Sequence, residues 1–210
     1  MAQALQLKIT LRGSKPPIWR RLLVPTDFTL TDLHYVIQHS FGWENCHLHQ
    51  FEFGDRRFSQ RSPFLDDPNG LEDLDADQYL IGKVLTQEKQ KGYYTYDFGD
   101  DWMHEILVEK LLDEPLTDHL PVCVTGRRAG PPEDCGGIWG YQDLLWMRAN
   151  PDDPRAKEFL DWHDEGLEET PDPAYFDAHA VNEEFRKFFA PAPPKAKRSS
   201  GRRSHSQGFA

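Results

Sequence analysis

The sequence predicts an α+β fold: a β-grasp-like strand–strand–helix–strand core with a late β-hairpin and C-terminal helices. Three observations point there. Residues 4–24 alternate apolar and polar side chains around one Gly/Pro turn, the mark of two half-buried strands. A helical period then takes over, bounded by cap residues at both ends. Two further aromatic, alternating stretches meet at a Gly/Asp turn, and helical patterns follow. Strands and helices segregated in this way suit a sheet with helices on one side. Residues 1–190 read as a single domain and residues 191–210 as a basic tail.

In the first strand Leu5, Leu7, Ile9 and Leu11 share one face, against Gln6, Lys8, Thr10 and Arg12. After "GSKPP", Ile18, Leu22 and Val24 resume the period opposite Trp19, Arg21 and Leu23. Thr29 with Asp32 three residues on predicts a capping box, here with the shorter acid. Leu33, Val36, Ile37 and Phe41 form a helical stripe, and Gly42 is a natural stop. "CHLHQFEF" alternates again, with His47, His49, Phe51 and Phe53 on one face. Residues 55–79 are acidic and turn-rich and read as an exposed loop without the spacing of an EF-hand. "YLIGKVL" suits a short helix. "GYYTYDF" and "WMHEILVEK" read as strands, the first burying Tyr94, Tyr96 and Phe98, the second Trp102, His104, Ile106 and Val108. Helices are expected from residue 138, through Trp139, Leu144, Leu145 and Met147, and again in "RAKEFLDWH" and "DAHAVNEEFRKFF".

Charge narrows the function classes. The net charge is −11, but the last twenty residues hold five basic side chains and no acid, which leaves −16 on residues 1–190. A body of that sign repels phosphate backbones. The tail, with Lys195, Lys197, Arg198, Arg202 and Arg203 among Pro, Ser and Gly, reads as disordered and open to weak nucleic-acid contact. Three cysteines, Cys46, Cys123 and Cys135, with no secretory signal pattern, suit reduced thiols in the cytoplasm. No apolar run is long enough for a membrane span.

"YDFGDDWMHEI" contains two words, "DFG" and "GDD", used elsewhere to hold metals on nucleotides. A kinase would need a Gly-rich loop, a strand Lys and a catalytic-loop Asp upstream, and none is present. A polymerase would need a second carboxylate motif in a far larger chain. A Gly beside two Asp between aromatic strands reads as a hairpin turn.

The set "PPIWRRLLVP", "TLTDLHYVIQHSFGWENCHLHQF", "YDFGDDWMHEILVEK", "GRRAGPPEDCGGIWGY" and "FDAHAVNEEF" closely resembles the plasmid pRiA4b ORF-3-like family, from about Leu5 to Phe189. The resemblance implies an α+β fold and an association with plasmids or mobile elements, without a mechanism. Some members carry a resolvase label, but this chain has an acidic body, no basic helix-turn-helix, and Ser14 in a turn where a nucleophile would be needed. The family pattern as usually written has a Cys where this chain has Gly130, so a Cys-x4-Cys pair with Cys135 is absent.

The residues that could carry chemistry are His47, His49 and His104 on apolar strand faces, joined by Glu133, Asp134 and Cys135 of "GPPEDCGG". Three imidazoles with an acid or thiol form an acceptable zinc or iron set, although the spacing matches no standard signature. Buried imidazoles also bond backbone or carboxylates inside a polar core. Trp19 and Arg21 offer a basic, aromatic edge for a base or a carboxylate. Two readings follow: a non-enzymatic binding or adaptor module for an unknown protein or ligand, with no cofactor, or a metal-dependent enzyme built on His47, His49 and His104.

Overall fold

The computed structural model describes residues 3–60, 73–157 and 172–190. Eight strands form one mixed sheet in the order β5-β4-β3-β6-β7-β1-β2-β8. They are β1 (Ala4–Leu11), β2 (Ile18–Pro25), β3 (His49–Phe53), β4 (Arg56–Ser59), β5 (Leu74–Asp75), β6 (Lys91–Tyr96), β7 (Trp102–Leu112) and β8 (Val122–Arg127). The helices are α1 (Leu30–Phe41), α2 (Ile81–Val84), α3 (Gly137–Ala149) and, after residues outside the described set, α4 (Ala178–Phe189). The α+β class stands. The strand order is not a simple continuation of the opening hairpin. β1 pairs antiparallel with both β2 and β7, and β6 and β7 separate the hairpin from β3. Among the described residues only β4 and β5 pair in parallel.

The alternation expected of β1, β2 and β7 is what the sheet uses. Leu5, Leu7, Ile9, Ile18, Leu22, Ile106 and Val108 are fully buried, while their polar neighbours stay partly exposed. Burying each such side chain contributes about 1.5–3 kcal/mol. α1 covers this face with Leu33, Val36, Ile37 and Phe41. Its start is the expected capping box: Thr29 accepts from the Asp32 amide and Asp32 returns the bond to the Thr29 amide. Gly42 ends it at φ 81°, a left-handed conformation that a β-carbon would oppose.

Arg20 fastens the end of α1 to the sheet. It is buried, and its Nε–H donates to the Ser40 carbonyl at 2.6 Å, with Nη1 donating to the Trp19 and Arg127 carbonyls. Its guanidinium carbon lies 4.6 Å from the Phe41 ring and 4.4 Å from the Phe176 ring. Burial pulls its pKa down to about 10, so it stays charged at neutral pH. The carbonyl end of α1, the negative end of the helix dipole, is its counter-charge.

Three expectations are corrected. Phe98 does not join the buried face: β6 ends at Tyr96, the chain turns at Asp97 (φ 55°), and Phe98 is 55% exposed. Residues 55–79 are not all loop, since β4, β5 and a 3-10 turn at Ala76–Gln78 lie within them. β8 was not foreseen. It forms a sheet edge whose backbone is matched by a side chain: Asn182 of α4 accepts from the Cys123 amide and donates to its carbonyl, which covers polar groups an edge otherwise exposes. Part of the 55–79 segment, most of the helix expected at 155–163 and the whole basic tail lie outside the described residues. Among the described residues no helix is long and apolar enough to cross a membrane.

Candidate functional site

Three segments meet beyond the ends of β3 and β6. The first runs from Trp43 to Leu48 and is laid down by hydrogen bonds. Trp43 Nε1–H donates to the Pro131 carbonyl at 2.8 Å, the Glu44 amide to Glu133 Oε1 at 2.9 Å, and the Cys46 amide to Tyr96 Oη at 3.1 Å. The second is the turn 97–101 between β6 and β7. The Asp97 amide donates to the Leu48 carbonyl at 2.9 Å. The third is the loop 131–137. Its Gly136 amide donates to Asp100 Oδ2 at 3.2 Å, and a β-carbon on Gly137 would lie 2.2 Å from the Asp100 carbonyl oxygen, so only glycine permits this approach. Gly130 is equally constrained, with a β-carbon there 2.1 Å from the Phe41 carbonyl oxygen. The Cys of the usual family pattern would not fit on this backbone.

His47 stands where the segments converge. Its Nε2 lies 3.1 Å from Asp134 Oδ1, 3.7 Å from Asp97 Oδ2 and 4.0 Å from Glu133 Oε2. None of these is a hydrogen bond. His47 Nε2 and Glu133 Oε2 are both buried atoms without a hydrogen-bond partner, so Asp134, although close, stands off the line of the N–H. Two carboxylates are presented in the same way. Glu133 Oε1 accepts from the Tyr96 hydroxyl at 3.0 Å and from the Glu44 amide, which leaves Oε2 turned toward His47. Asp97, only 8% exposed, accepts the Gly99 amide on Oδ1 and offers Oδ2 to His47. Among the described residues, donor atoms of His47, Asp97 and Asp134 lie within 4.8 Å of one another, as do those of Cys46, His47 and Glu133.

His49 and His104 do not join them. His49 begins β3 and its ring stacks on His34 of α1, with centroids 3.6 Å apart and planes 9° from parallel. His34 closes a ring of hydrogen bonds. Gln38 Nε2–H donates to Tyr94 Oη, whose hydroxyl donates to His34 Nδ1; His34 Nε2–H donates to Asn45 Oδ1, and the Asn45 amide donates to Gln38 Oε1. That arrangement fixes a neutral His34 tautomer. His104 is fully buried among Phe41, Trp43 and Tyr94, with Nδ1–H donating to the Trp102 carbonyl at 2.9 Å. Burial pushes His34 down to about 4, against the bond to Asn45, and His49 down to about 3, with the His34 charge adding to it. Burial likewise pushes His104 to about 3, opposed by the Trp102 and Tyr94 carbonyls. These rings stay neutral and serve the core.

Cys135 is half-buried, and burial followed by the Asp100 charge pushes its thiol up to about 12. It belongs to neither donor group. Trp19 and Arg21 lie on the opposite, open face of the sheet. Arg21 grips Glu109 with two bonds of 2.6 and 2.8 Å, while Lys8 and Arg21 lie 5.2 and 5.3 Å from the Trp19 ring. That edge is balanced by its own acid. The structure thus unites His47, Glu133 and Asp134 of the expected set and adds Asp97 and Cys46, with Tyr96 behind them. Asp97 lies at the end of a stretch that reads as a strand, which stops instead at its neighbour Tyr96.

Comparison with known proteins places the chain in a family and its fold beside a solved structure. Residues 3–184 match the family model described as plasmid pRiA4b ORF-3-like protein. The chain belongs to this family. It is 34% identical over 163 residues, 77% of this chain and 81% of the relative, to uncharacterized protein y4hQ of Sinorhizobium fredii (strain NGR234). It also resembles the crystal structure of MM3350, a protein of unknown function from Methanosarcina mazei Go1. There the TM-score is 0.73 and the identity 33%, covering 85% of this chain and 96% of that one.

Proposed function

We propose that the protein is a binding module whose working centre is a divalent-cation site made by His47, Asp97 and Asp134, with Glu133 and Cys46, which form a second donor group around His47, beside it. The observation that carries this reading is the spacing around His47 Nε2: 3.1, 3.7 and 4.0 Å to three carboxylate oxygens. The two longer distances exceed a hydrogen bond, and the shortest lacks the alignment one needs. Donors sharing a metal at about 2.1 Å are separated by about 3.0–3.4 Å when adjacent and about 4.2 Å when opposite, and these distances fall within that range. A cation would engage His47 Nε2, a buried atom without a hydrogen-bond partner, which otherwise forfeits about 1–3 kcal/mol. It would also offset three carboxylates facing one imidazole.

One nitrogen among several carboxylate oxygens suits Mn²⁺, Fe²⁺ or Zn²⁺. The Tyr96 hydroxyl and the Glu44 and Gly99 amides do for the carboxylates what outer hydrogen bonds do around metals, fixing which oxygen is presented. The expected metal set of His47, His49 and His104 with Asp134 and Cys135 is therefore replaced in this reading by one histidine with carboxylates. The plasmid or mobile-element association stays part of this reading as the setting in which such a module would act. Its test is equilibrium dialysis of untagged full-length protein against Mn²⁺ and Zn²⁺. One equivalent should bind. Asp97→Asn and His47→Ala should weaken it by roughly a hundredfold, while His49→Gln should leave it unchanged. Equal binding by the His47 variant and wild type would refute the site.

A further inference from the structure

His47 belongs to two donor groups. With Asp97 and Asp134 it offers one nitrogen and two oxygens; with Cys46 and Glu133 it offers one nitrogen, one sulfur and one oxygen. Within each group the donor atoms lie within 4.8 Å of one another. The second group is held together by Tyr96. Its hydroxyl donates to Glu133 Oε1, and its oxygen accepts the Cys46 amide and lies 3.8 Å from Cys46 Sγ. Glu133 Oε2 is left as a buried atom without a hydrogen-bond partner, 4.0 Å from His47 Nε2. One ion holding sulfur at about 2.3 Å and oxygen at about 2.1 Å separates them by up to about 4.4 Å. Cys46 is exposed, and rotation about its one side-chain bond supplies the remaining adjustment.

Softness distinguishes the two groups. Carboxylate oxygens suit Mn²⁺, whereas a thiolate selects soft cations. A neutral imidazole has one nitrogen lone pair, so His47 serves one cation at a time. We propose that Cys46, His47 and Glu133 form an alternative site for a thiophilic divalent cation of the Cd²⁺ type, which takes His47 away from Asp97 and Asp134. The competition rests on the cation reading above; the thiolate site does not. As the cation binds, the Cys46 S–H proton leaves to water and the sulfur bonds the metal as thiolate. The two occupancies join different parts of the chain. The oxygen group ties residues 43–48 to both the turn 97–101 and the loop 131–137, while the sulfur group ties them to the loop alone and frees the Asp97 carboxylate.

Titration of untagged, reduced full-length protein with Cd²⁺ tests this through the ultraviolet thiolate-to-cadmium charge-transfer band. The band should grow to one equivalent. In Cys46→Ser it should be absent, and Cd²⁺ affinity by equilibrium dialysis should fall at least by the roughly hundredfold that loss of even an outer partner of a metal can cost. Cys46 is exposed, so the fold should tolerate the change. Added to Mn²⁺-loaded protein, Cd²⁺ should release Mn²⁺ one for one, read by electron paramagnetic resonance of the free ion. No uptake of Cd²⁺, uptake without the band, a band that survives in Cys46→Ser and so belongs to Cys123 or Cys135, or Mn²⁺ retained beside bound Cd²⁺ would each overturn the proposal. A wild type that takes Cd²⁺ on Cys46 but never binds Mn²⁺ would instead overturn the oxygen site, and the two failures are read with different metals.

Discussion

His47 and His49 are two residues apart and end in opposite circumstances. His49 lies in β3, stacked on His34 and pushed down to about 3 by burial. His47 lies just before the strand, its side chain 28% exposed, with three carboxylates around Nε2. The core imidazoles are held neutral by burial, and protons are their enemy. His49 and His104 also leave Nε2 buried without a hydrogen-bond partner; the site imidazole differs in facing three carboxylates, so a cation is its natural complement. Residue type therefore says little here. What surrounds the ring decides whether it stabilises the fold or serves a site.

The sharpest way to break this contrast is acid. The folded pKa values of His34, His49 and His104 lie below the unfolded value of 6.5. Between those values the unfolded chain binds protons that the folded chain does not. The stabilisation is complete above about pH 6.5 and falls as the pH drops through 6.5, down to about 4 for His34 and about 3 for the other two. Each ring contributes about 1.4 kcal/mol per pH unit across its window. Between pH 7 and pH 5 the three together should cost on the order of 5 kcal/mol, a large part of ordinary domain stability. Urea titrations at the two pH values measure it. His49→Gln should flatten the dependence by about a third; a dependence of unchanged steepness would show that His49 is not held neutral.

The parts of the fold that were legible in the sequence are those set by neighbours in the chain. The alternation of β1, β2 and β7 and the Thr29–Asp32 box need only a few residues of context, and both are present. The site was half legible. His47 and His49 share one alternation in the sequence, but β3 starts only at His49. The positive φ of Asn45 and the bond from the Cys46 amide to Tyr96 take the chain out of strand register before it. Asp97 reads as the end of a strand in the sequence but is a turn residue, since Asp tolerates φ near 55°. Its second role depends on a residue fifty positions away, which no local pattern encodes. The same holds for β8 and for Tyr96 supporting Glu133.

The next largest effect should come from the metal. A cation that binds only the folded chain stabilises it by about 2.7 kcal/mol at a concentration a hundredfold above its Kd. Thermal unfolding with and without Mn²⁺ should show this shift in the wild type and lose it in Asp97→Asn. A smaller step separates coordination from orientation. Tyr96→Phe removes the hydroxyl that directs Glu133 and should weaken metal affinity by about tenfold. The further substitution of Glu133 by Gln in that background should then cost less than it does alone, because the oxygen it removes is no longer aimed. Equal costs in the two backgrounds would mean that Tyr96 only packs.

The smallest effect tests the opposite case, a charge group already complete. Arg21 and Glu109 on the open sheet face share two hydrogen bonds, and Gln6 adds a third to Glu109. The bond to Glu109 raises the Arg21 pKa, and the bond to Arg21 lowers that of Glu109. Their side chains are 31% and 17% exposed, so water and salt reach the pair. Paired geometry of this kind at a surface contributes at most about 1 kcal/mol. A double-mutant cycle over Arg21→Ala and Glu109→Ala should return a coupling below that value, shrinking further in 1 M salt, where screening acts over roughly 3 Å. Neither substitution should alter metal uptake. A loss of metal binding in Arg21→Ala would mean that the two faces of the sheet are coupled, and would undo the separation between a balanced charge pair and an open cation site.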